Sequence, residues 1–383
     1  MKILSIETSF DETAAAVTEG RKVLSNIVYS QVLLHKNWGG VVPTIAKRAH
    51  EERIDFVISD ALVKAAKNFT GPVKSFLPAS ARHGSHDLRA VGNPSSLATR
   101  KISKALFDGI DYIAVTYGPG LSIALEVGIN KAIEFAKKYK KKIIPVNHME
   151  GHIYSSFIQN SVGNPKKPFE FPYIGLLVSG AHTELVLWED YLNFKILGET
   201  VDDAAGEALD KASKMLGLGY PGGALIERLA LKVKNKDFYK FPRPMRGSKD
   251  LNFSFSGLKT SLYYLLKDMS EKEKNKRLEE LLSSFQEAVF DSIIIKTRKA
   301  IEQTGIKKIV LGGGVSANKR LKNLLNKLIK ENKGELIYPK KEFCTDNAAM
   351  IGIAGYYKAK AGIFVKNFKT FERQPRLSIN SKS

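Results

Sequence analysis

At 383 residues the chain is too long for one ordinary hydrophobic core, and 43% apolar content fits a globular protein of two domains. Its single cysteine, Cys344, excludes an internal disulfide, and no apolar run reaches membrane-spanning length. The opening residues read as a strand rather than a signal or transit peptide, so a cytoplasmic protein is expected. Lysine and arginine exceed the acids by 21, which favours a polyanionic partner, nucleic acid foremost. Lysines such as Lys137, Lys138 and Lys140 are equally at home on a solvated helix face.

Residues 2–30 read as a meander of three strands, 3–6, 13–18 and 23–30. The first turn gathers Glu7, Thr8, Ser9, Asp11 and Glu12, where a hairpin needs neither hydroxyls nor acids. Donors in such a turn cradle a phosphate, and acids hold a metal or orient a nucleophile; a merely polar turn is the plain alternative. Gly39 and Gly40 break the chain, and Pro43 starts a long helix to about Lys67 with Ile45, Ile54, Val57, Ile58 and Leu62 as its apolar positions.

Residues 68–103 carry no sustained periodicity and read as a loop insertion. His83, His86 and Asp87 make only a weak second metal motif there. Arg82, Arg89, Arg100 and Lys101 fit contacts to RNA or to a partner better. A strand over 111–117, a helix over about 121–140 and a strand over 142–146 then predict parallel pairing through a right-handed crossover.

The next stretch, Asn147-His148-Met149-Glu150-Gly151-His152, opens a helix with Asn147 as its cap. Histidines four apart share one helical face, so His148 and His152 can aim two imidazoles at one ion. A zinc-protease motif would place a glutamate directly after the first histidine. Glu150 is one position later and rotates off the histidine face. A carboxylate from elsewhere must complete a site, and Asp346, at the start of the last core helix, is the best candidate.

A linker near 164–168 precedes a second meander, 173–178 and 184–188, whose turn, Ser179-Gly180-Ala181-His182-Thr183, is again hydroxyl-bearing. Asp210, in a helix over about 202–211, suits ribose hydroxyls or plain solvent, and Glu227 follows Gly223 by one helical turn. Beyond a helix opening at 253–260, a single amphipathic helix is expected from about Glu271 to Gln303. The strand 309–311 and the run Gly312-Gly313-Gly314-Val315-Ser316-Ala317-Asn318 then place backbone and a helix start against a nucleotide, with Asn318 able to read an adenine or ribose edge. Two halves, each with a hydroxyl-rich first hairpin, make an α/β protein of two actin-like domains, as in the sugar kinases and heat-shock ATPases, with a central nucleotide cleft. The expected division is 1–160, with 345–362 packing back on it, and 161–344.

Five motifs in order resemble the universal tRNA N6-adenosine threonylcarbamoyltransferase family in its bacterial form (TsaD): 147–152, 177–183, 220–223, 312–318 and 344–349. The resemblance spans nearly the whole chain except 68–103, and residues 254–260 are similar to the bacterial branch. It implies transfer of threonylcarbamoyl from threonylcarbamoyl-AMP to N6 of adenosine 37 in tRNAs reading codons that begin with A, releasing AMP. It implies one divalent metal per subunit, iron(II) preferred and zinc tolerated, held by His148, His152 and Asp346. Leu177, Val178, Ser179, Gly180, Ala181, Asp210, Gly223, Glu227 and Asn318 would bind the adenylate, and Asp11 and Glu12 would serve the transfer. TsaB-like and TsaE-like subunits are the implied protein partners. Phe10 departs from a customary cysteine, and Ala181 from a customary glycine that tolerates positive φ. A metalloprotease and a non-catalytic ATP-binding scaffold are the competing classes.

Because 68–103 lacks core periodicity, replacing 70–98 with a short Gly/Ser linker is expected to preserve folding and nucleotide binding. Calorimetry checks this: loss of the thermal transition would show that the segment packs into the domain.

Overall fold

The computed structural model describes residues 1–67 and 104–381. The insertion with His83, His86, Asp87, Arg82, Arg89, Arg100 and Lys101 lies outside the described residues.

The chain begins with β1 (Lys2–Glu7), β2 (Glu12–Glu19) and β3 (Lys22–Ser30). The long helix α1 (Pro43–Ala66) starts at a proline, whose missing N–H costs nothing in a first turn. After it come β4 (Tyr112–Gly118), α2 (Ser122–Tyr139), β5 (Lys142–Asn147) and α3 (His148–Tyr154). β6 (Tyr173–Val178), β7 (Thr183–Asp190) and β8 (Asn193–Glu199) form the second meander. The helices α4 (Ala205–Met215), α5 (Gly223–Lys232), α6 (Ser256–Lys267) and α7 (Leu278–Thr304) follow. β9 (Lys308–Gly312), α8 (Lys319–Glu331), β10 (Glu335–Ile337) and α9 (Ala348–Lys360) complete the set.

Two five-stranded sheets repeat one topology. The first runs β3-β2-β1-β4-β5 and the second, in matching order, β8-β7-β6-β9-β10. In each, an antiparallel meander is extended by two parallel strands, as the strand–helix–strand pattern predicts. This duplication is the actin-like α/β architecture expected from the two hydroxyl-bearing hairpins.

The helix expected from Glu271 to Gln303 is two helices. Ser270 and Glu273 form a reciprocal capping box on a short helix, Glu271–Lys276, and Arg277 leaves helical geometry (φ −108°, ψ 16°) before α7 begins. A lysine- and glutamate-rich turn has no apolar face to hold it in line with α7. The three-residue strand β10 is too short to read from sequence, and β8 (Asn193–Glu199) is a further strand beyond those expected. Nor does sequence reveal that 363–381 wraps the first sheet: Val365 N donates to Ile143 O, Gln374 N to Tyr117 O, and Asn147 Nδ2 to Ser378 O.

Three apolar cores hold the molecule. One lies between the first sheet and α1 and α2, and another between the second sheet and α4–α8. The third joins the sheets: Met149, Ile153 and Tyr154 of α3 and Met350, Ile351 and Ile353 of α9 pack with Leu177, Val186 and Trp188 of the second sheet. Close approach is what allows this. A Cβ on Gly151 would meet Ile351 and Met350 at 2.9 and 3.0 Å, and one on Gly312 would meet the carbonyl oxygen of His152 at 2.7 Å. Among the described residues, no helix is long and apolar enough to cross a membrane.

Within the second sheet Glu184 of β7 is buried opposite Glu199 of β8. Burial, and then the charge of Glu199, push its carboxyl up to about 7. The native state keeps a proton that the unfolded chain loses near pH 4.5, so this group makes stability fall as pH rises from there through about 7. Glu184→Gln is expected to remove that slope, up to roughly 3 kcal/mol in total, as urea denaturation at pH 5 and pH 8 would measure.

Candidate active site and metal centre

Strand β5 ends at Asn147, whose side-chain oxygen accepts from Met149 N at 2.8 Å and caps α3 as expected. One turn of helix then separates His148 from His152, and their ring centroids lie 4.6 Å apart. Both are buried. Asp346 comes from the turn before α9, which Asn347 caps by accepting from Met350 N at 3.0 Å. Its Oδ1 is 3.1 Å from His152 Nε2 and 3.5 Å from His148 Nε2.

One ligand atom from each of these three residues lies within 4.8 Å of the others. Two imidazoles and a carboxylate are a donor set that suits a first-row divalent metal. His152 supplies the test of fit: neither ring nitrogen of this fully buried side chain makes a hydrogen bond of sound geometry, despite the nearby carboxylate. A buried imidazole without partners is costly, and an ion at this point would satisfy it. The three residues expected from sequence to hold a metal are thus brought together by two elements, α3 and the turn before α9.

Behind them stand two residues of the polar first turn, which the sequence offered for a phosphate or a metal without naming what they meet. Glu7, at the buried end of β1, places Oε2 3.0 Å from His148 Nδ1, and Ser9 Oγ is 3.1 Å from the same atom. Thr116 Oγ1 donates to Glu7 Oε2 at 2.7 Å. With an ion bound, a proton kept on Nδ1 and directed at Glu7 would leave the Nε2 lone pair for the ion. Burial pulls the His148 imidazole down, but Asp346 and Glu7 outweigh it and raise its pKa to about 10. Asp346 is held low: burial opposes ionisation, but the charge and hydrogen bond of His148 prevail. The sequence signal for Glu7 is the cluster of acids and hydroxyls in the first turn; nothing local ties it to His148.

Glu150 points the other way. Its Oε1 is 3.3 Å from Nζ of Lys358 on α9, and both side chains are buried. Burial raises the carboxyl and Lys358 lowers it again. This pair ties the helix of the two histidines to the helix that follows Asp346.

Beside the triad opens a cavity of about 450 Å³. Its walls include Phe10, Asp11 and Glu12 of the first hairpin, Ser179, Gly180 and Ala181 of the second, and Asp210, Tyr220, Gly314, Thr345 and Asp346. Asp11 is buried and its Oδ2 has no partner among the described residues. Burial, and then the charge of Asp11, push Glu12 well above the carboxylate range; burial likewise raises Asp11. Phe10 sits edge-on to His148 at 5.4 Å between centroids and shields that ring. Ala181 is exposed and is not among the residues with positive φ, so the alanine introduces no backbone strain. His182, behind that loop, is neutral: burial and the nearby His148 and His152 lower it to about 4.

Of the other residues named from sequence, Asp210 lines the cavity and the rest are not among its lining residues. Leu177 and Val178 are buried in β6. Asp210 faces the cavity but also accepts from Gly222 N at 2.7 Å, at the start of α5 where Gly223 lies. Asn318 caps α8 by accepting from Arg320 N and Leu321 N, and its Nδ2 donates to Gln286 Oε1. Glu227 accepts from Lys319 N at 2.7 Å beside it. Gly39, Gly40, Val41, Lys211 and Lys214 line the cavity without having been expected there.

The sequence profile of tRNA N6-adenosine threonylcarbamoyltransferase (TsaD) matches residues 22–70 and 97–353. The chain belongs to this family. A Kosmotoga olearia transferase of that name is 43% identical over 364 residues, 95% of each chain, and a Thermotoga neapolitana one is 39% identical over 380 residues, 99% of this chain and all of that one. The profile leaves 71–96 unmatched, within the stretch read as an insertion. Among solved structures, full-length HypF in its phosphate- and nucleotide-bound form superposes with a TM-score of 0.53 at 12% identity, covering 94% of this chain and 46% of that one. That likeness concerns the fold alone. The chain is therefore a transferase of the TsaD family with an actin-like fold.

Truncating one partner of a buried ion pair strands the other charge, whereas replacing both is far milder. Lys358→Met is expected to cost about 3–5 kcal/mol in denaturant unfolding, and the double variant Glu150→Met with Lys358→Met to recover most of it. Equal losses in both would show that the pair is not what joins α3 to α9.

Proposed function

We propose that this chain transfers threonylcarbamoyl from threonylcarbamoyl-AMP to N6 of adenosine 37 in tRNAs that read codons starting with A. The observation that carries the reading is the convergence of His148, His152 and Asp346 beside a cavity walled by both hairpin turns, in a chain of this family. The two lobes would be 1–160 with 345–362, and 161–344. The adenylate would lie in the cavity, against Ser179, Gly180, Ala181 and Asp210, with Leu177 and Val178 setting the hairpin. Gly223, Glu227 and Asn318 would hold the far wall through the starts of α5 and α8.

In the reaction the adenine N6 attacks the carbamoyl carbon. A C–N bond forms, the C–O bond to the phosphate breaks, AMP leaves, and N6 gives up a proton. Asp11 is placed to take that proton: its Oδ2 is unpartnered at the cavity wall, and burial raises its basicity. Glu12 beside it is raised by burial and then by the charge of Asp11, which disfavours a second negative charge next to the phosphate. His148, His152 and Asp346 would hold iron(II), with zinc tolerated, and Glu7 and Ser9 keep the His148 ring in line. When bound, the ion supplies Lewis-acid polarisation of the adenylate's oxygens. Glu150 is occupied by Lys358, away from the histidines, and so is not placed to act as a protease base. The protein would work in the cytoplasm with tRNA and with TsaB-like and TsaE-like subunits.

His148→Ala and His152→Ala should each lose most bound metal, and Asp346→Asn should keep the fold but hold the ion weakly. All three should lose transfer to tRNA far more than they lose Tm. Elemental analysis with nucleoside mass spectrometry of tRNA reads both outcomes. Full metal occupancy and wild-type transfer in Asp346→Asn would remove the carboxylate from the ligand set. A metal-free wild type that still modifies tRNA would make the histidines structural.

A further inference from the structure

The sequence between β3 and α1 reaches the cavity in a way that neither the chemistry nor the fold requires. A short helix, Val32–His35, and a 3-10 turn, Lys36–Trp38, lead into Gly39, which adopts φ 67°. Gly39, Gly40 and Val41 form part of the cavity wall. Trp38, immediately before them, is 63% exposed, which is unusual for so large an apolar ring. From the opposite side Lys214 of α4 lays its side chain on this turn. A Cβ at Gly39 would meet Lys214 Nζ at 3.2 Å and its Cε at 3.3 Å. Among the described residues Lys214 makes no salt bridge, whereas its cavity neighbour Lys211 is paired with Asp203 and Glu207.

An exposed indole next in the chain to the cavity wall, and a wall ammonium with no salt bridge among the described residues, thus stand beside a cavity whose charged lining includes Asp11, Glu12, Glu207, Asp210 and Lys211. A cation at the rim favours the approach of a polyanion to this partly acidic wall. A base whose edge must react inside a closed site has to leave its stack, and an aromatic face at the entrance replaces the stacking it loses. We propose that Trp38 and Lys214 are the landing site for the acceptor RNA: the indole stacks a nucleobase, and the ammonium meets a backbone phosphate. This rests on the transferase reading above. Neither residue touches the reacting atoms; both position the acceptor. The overall charge of +21 agrees with a nucleic-acid occupant, while exposed Leu33 and Leu34 next in the chain make a protein the rival.

The chain's two tryptophans make the test direct, because Trp188 is fully buried. In the assembled enzyme, acrylamide quenching of the exposed indole should be suppressed by tRNA, and the effect should vanish in Trp38→Phe. Trp38→Ala should lower kcat/KM for tRNA by about 5- to 150-fold, the range of one lost base stack, with binding of threonylcarbamoyl-AMP unchanged. Trp38→Phe should recover most of that activity. Lys214→Ala should reduce the slope of log affinity for tRNA against log salt by about one unit. An active wild type with unaltered kcat/KM in Trp38→Ala overturns the stacking role and leaves the transferase reading standing. Protection of Trp38 by a protein subunit but not by tRNA reassigns the patch and overturns the proposal. Weaker AMP binding in Lys214→Ala, with an unchanged tRNA salt slope, overturns the phosphate contact by moving Lys214 to the adenylate. A wild type that transfers nothing overturns the transferase reading itself, and this proposal with it.

Discussion

The structure depends on burying charge at one helix. α3 lies between the two sheets, packed on α9, and carries His148, Glu150 and His152 into surroundings almost without water. Unpaired, such groups would each cost several kcal/mol. Each charged one meets a partner from another element. Glu7 of β1 and the Asp346 turn flank His148, and Lys358 of α9 takes Glu150. One short helix is thereby fixed to the first sheet, to the turn before α9 and to α9 itself.

That arrangement divides the faces of α3 by chemistry. On one side Glu150 and Lys358 neutralise each other, which leaves that face with no group to offer a substrate. On the other, neither ring nitrogen of His152 has a hydrogen bond of sound geometry, although Asp346 lies 3.1 Å away. This side borders the cavity, where His148 and Asp346 form part of the wall. Stability is secured on the far face, and binding capacity is concentrated on the near one.

The duplicated topology explains why two hairpin turns face one cavity. In each half the central strand, β1 or β6, runs into a turn bearing hydroxyls: Thr8 and Ser9 in one, Ser179 in the other. The turns have since taken different work. Ser9 braces His148 from the first half, while Ser179 Oγ accepts from Ala181 N and His182 N and shapes its own loop in the second. Phe10 and Ala181, the departures from the family pattern, sit one in each turn, and neither obstructs the geometry around it.

Local signals in the sequence carried a good deal of this. Asn147 as a cap, the four-residue spacing of the histidines and the two meanders depend on neighbours a few positions apart, and such spacings survive in any tertiary context. Asp346 was reachable because a helix start bearing an acid is itself a local pattern. What the sequence could not specify is which distant groups meet. Glu7 and His148 are 141 positions apart, and Glu150 meets Lys358 from a helix 200 residues on; only the stacking of the sheets decides such encounters. Lys214 over Gly39 is of the same kind, as is the tail that returns to β4 and β5. The break at Arg277 was missed because charged helical turns carry no periodicity to interrupt. Short-range periodicity therefore determined the elements and the two histidines. Long-range packing alone decided what orients them and what lines the cavity, because burial selects partners by position in space and not by distance along the chain.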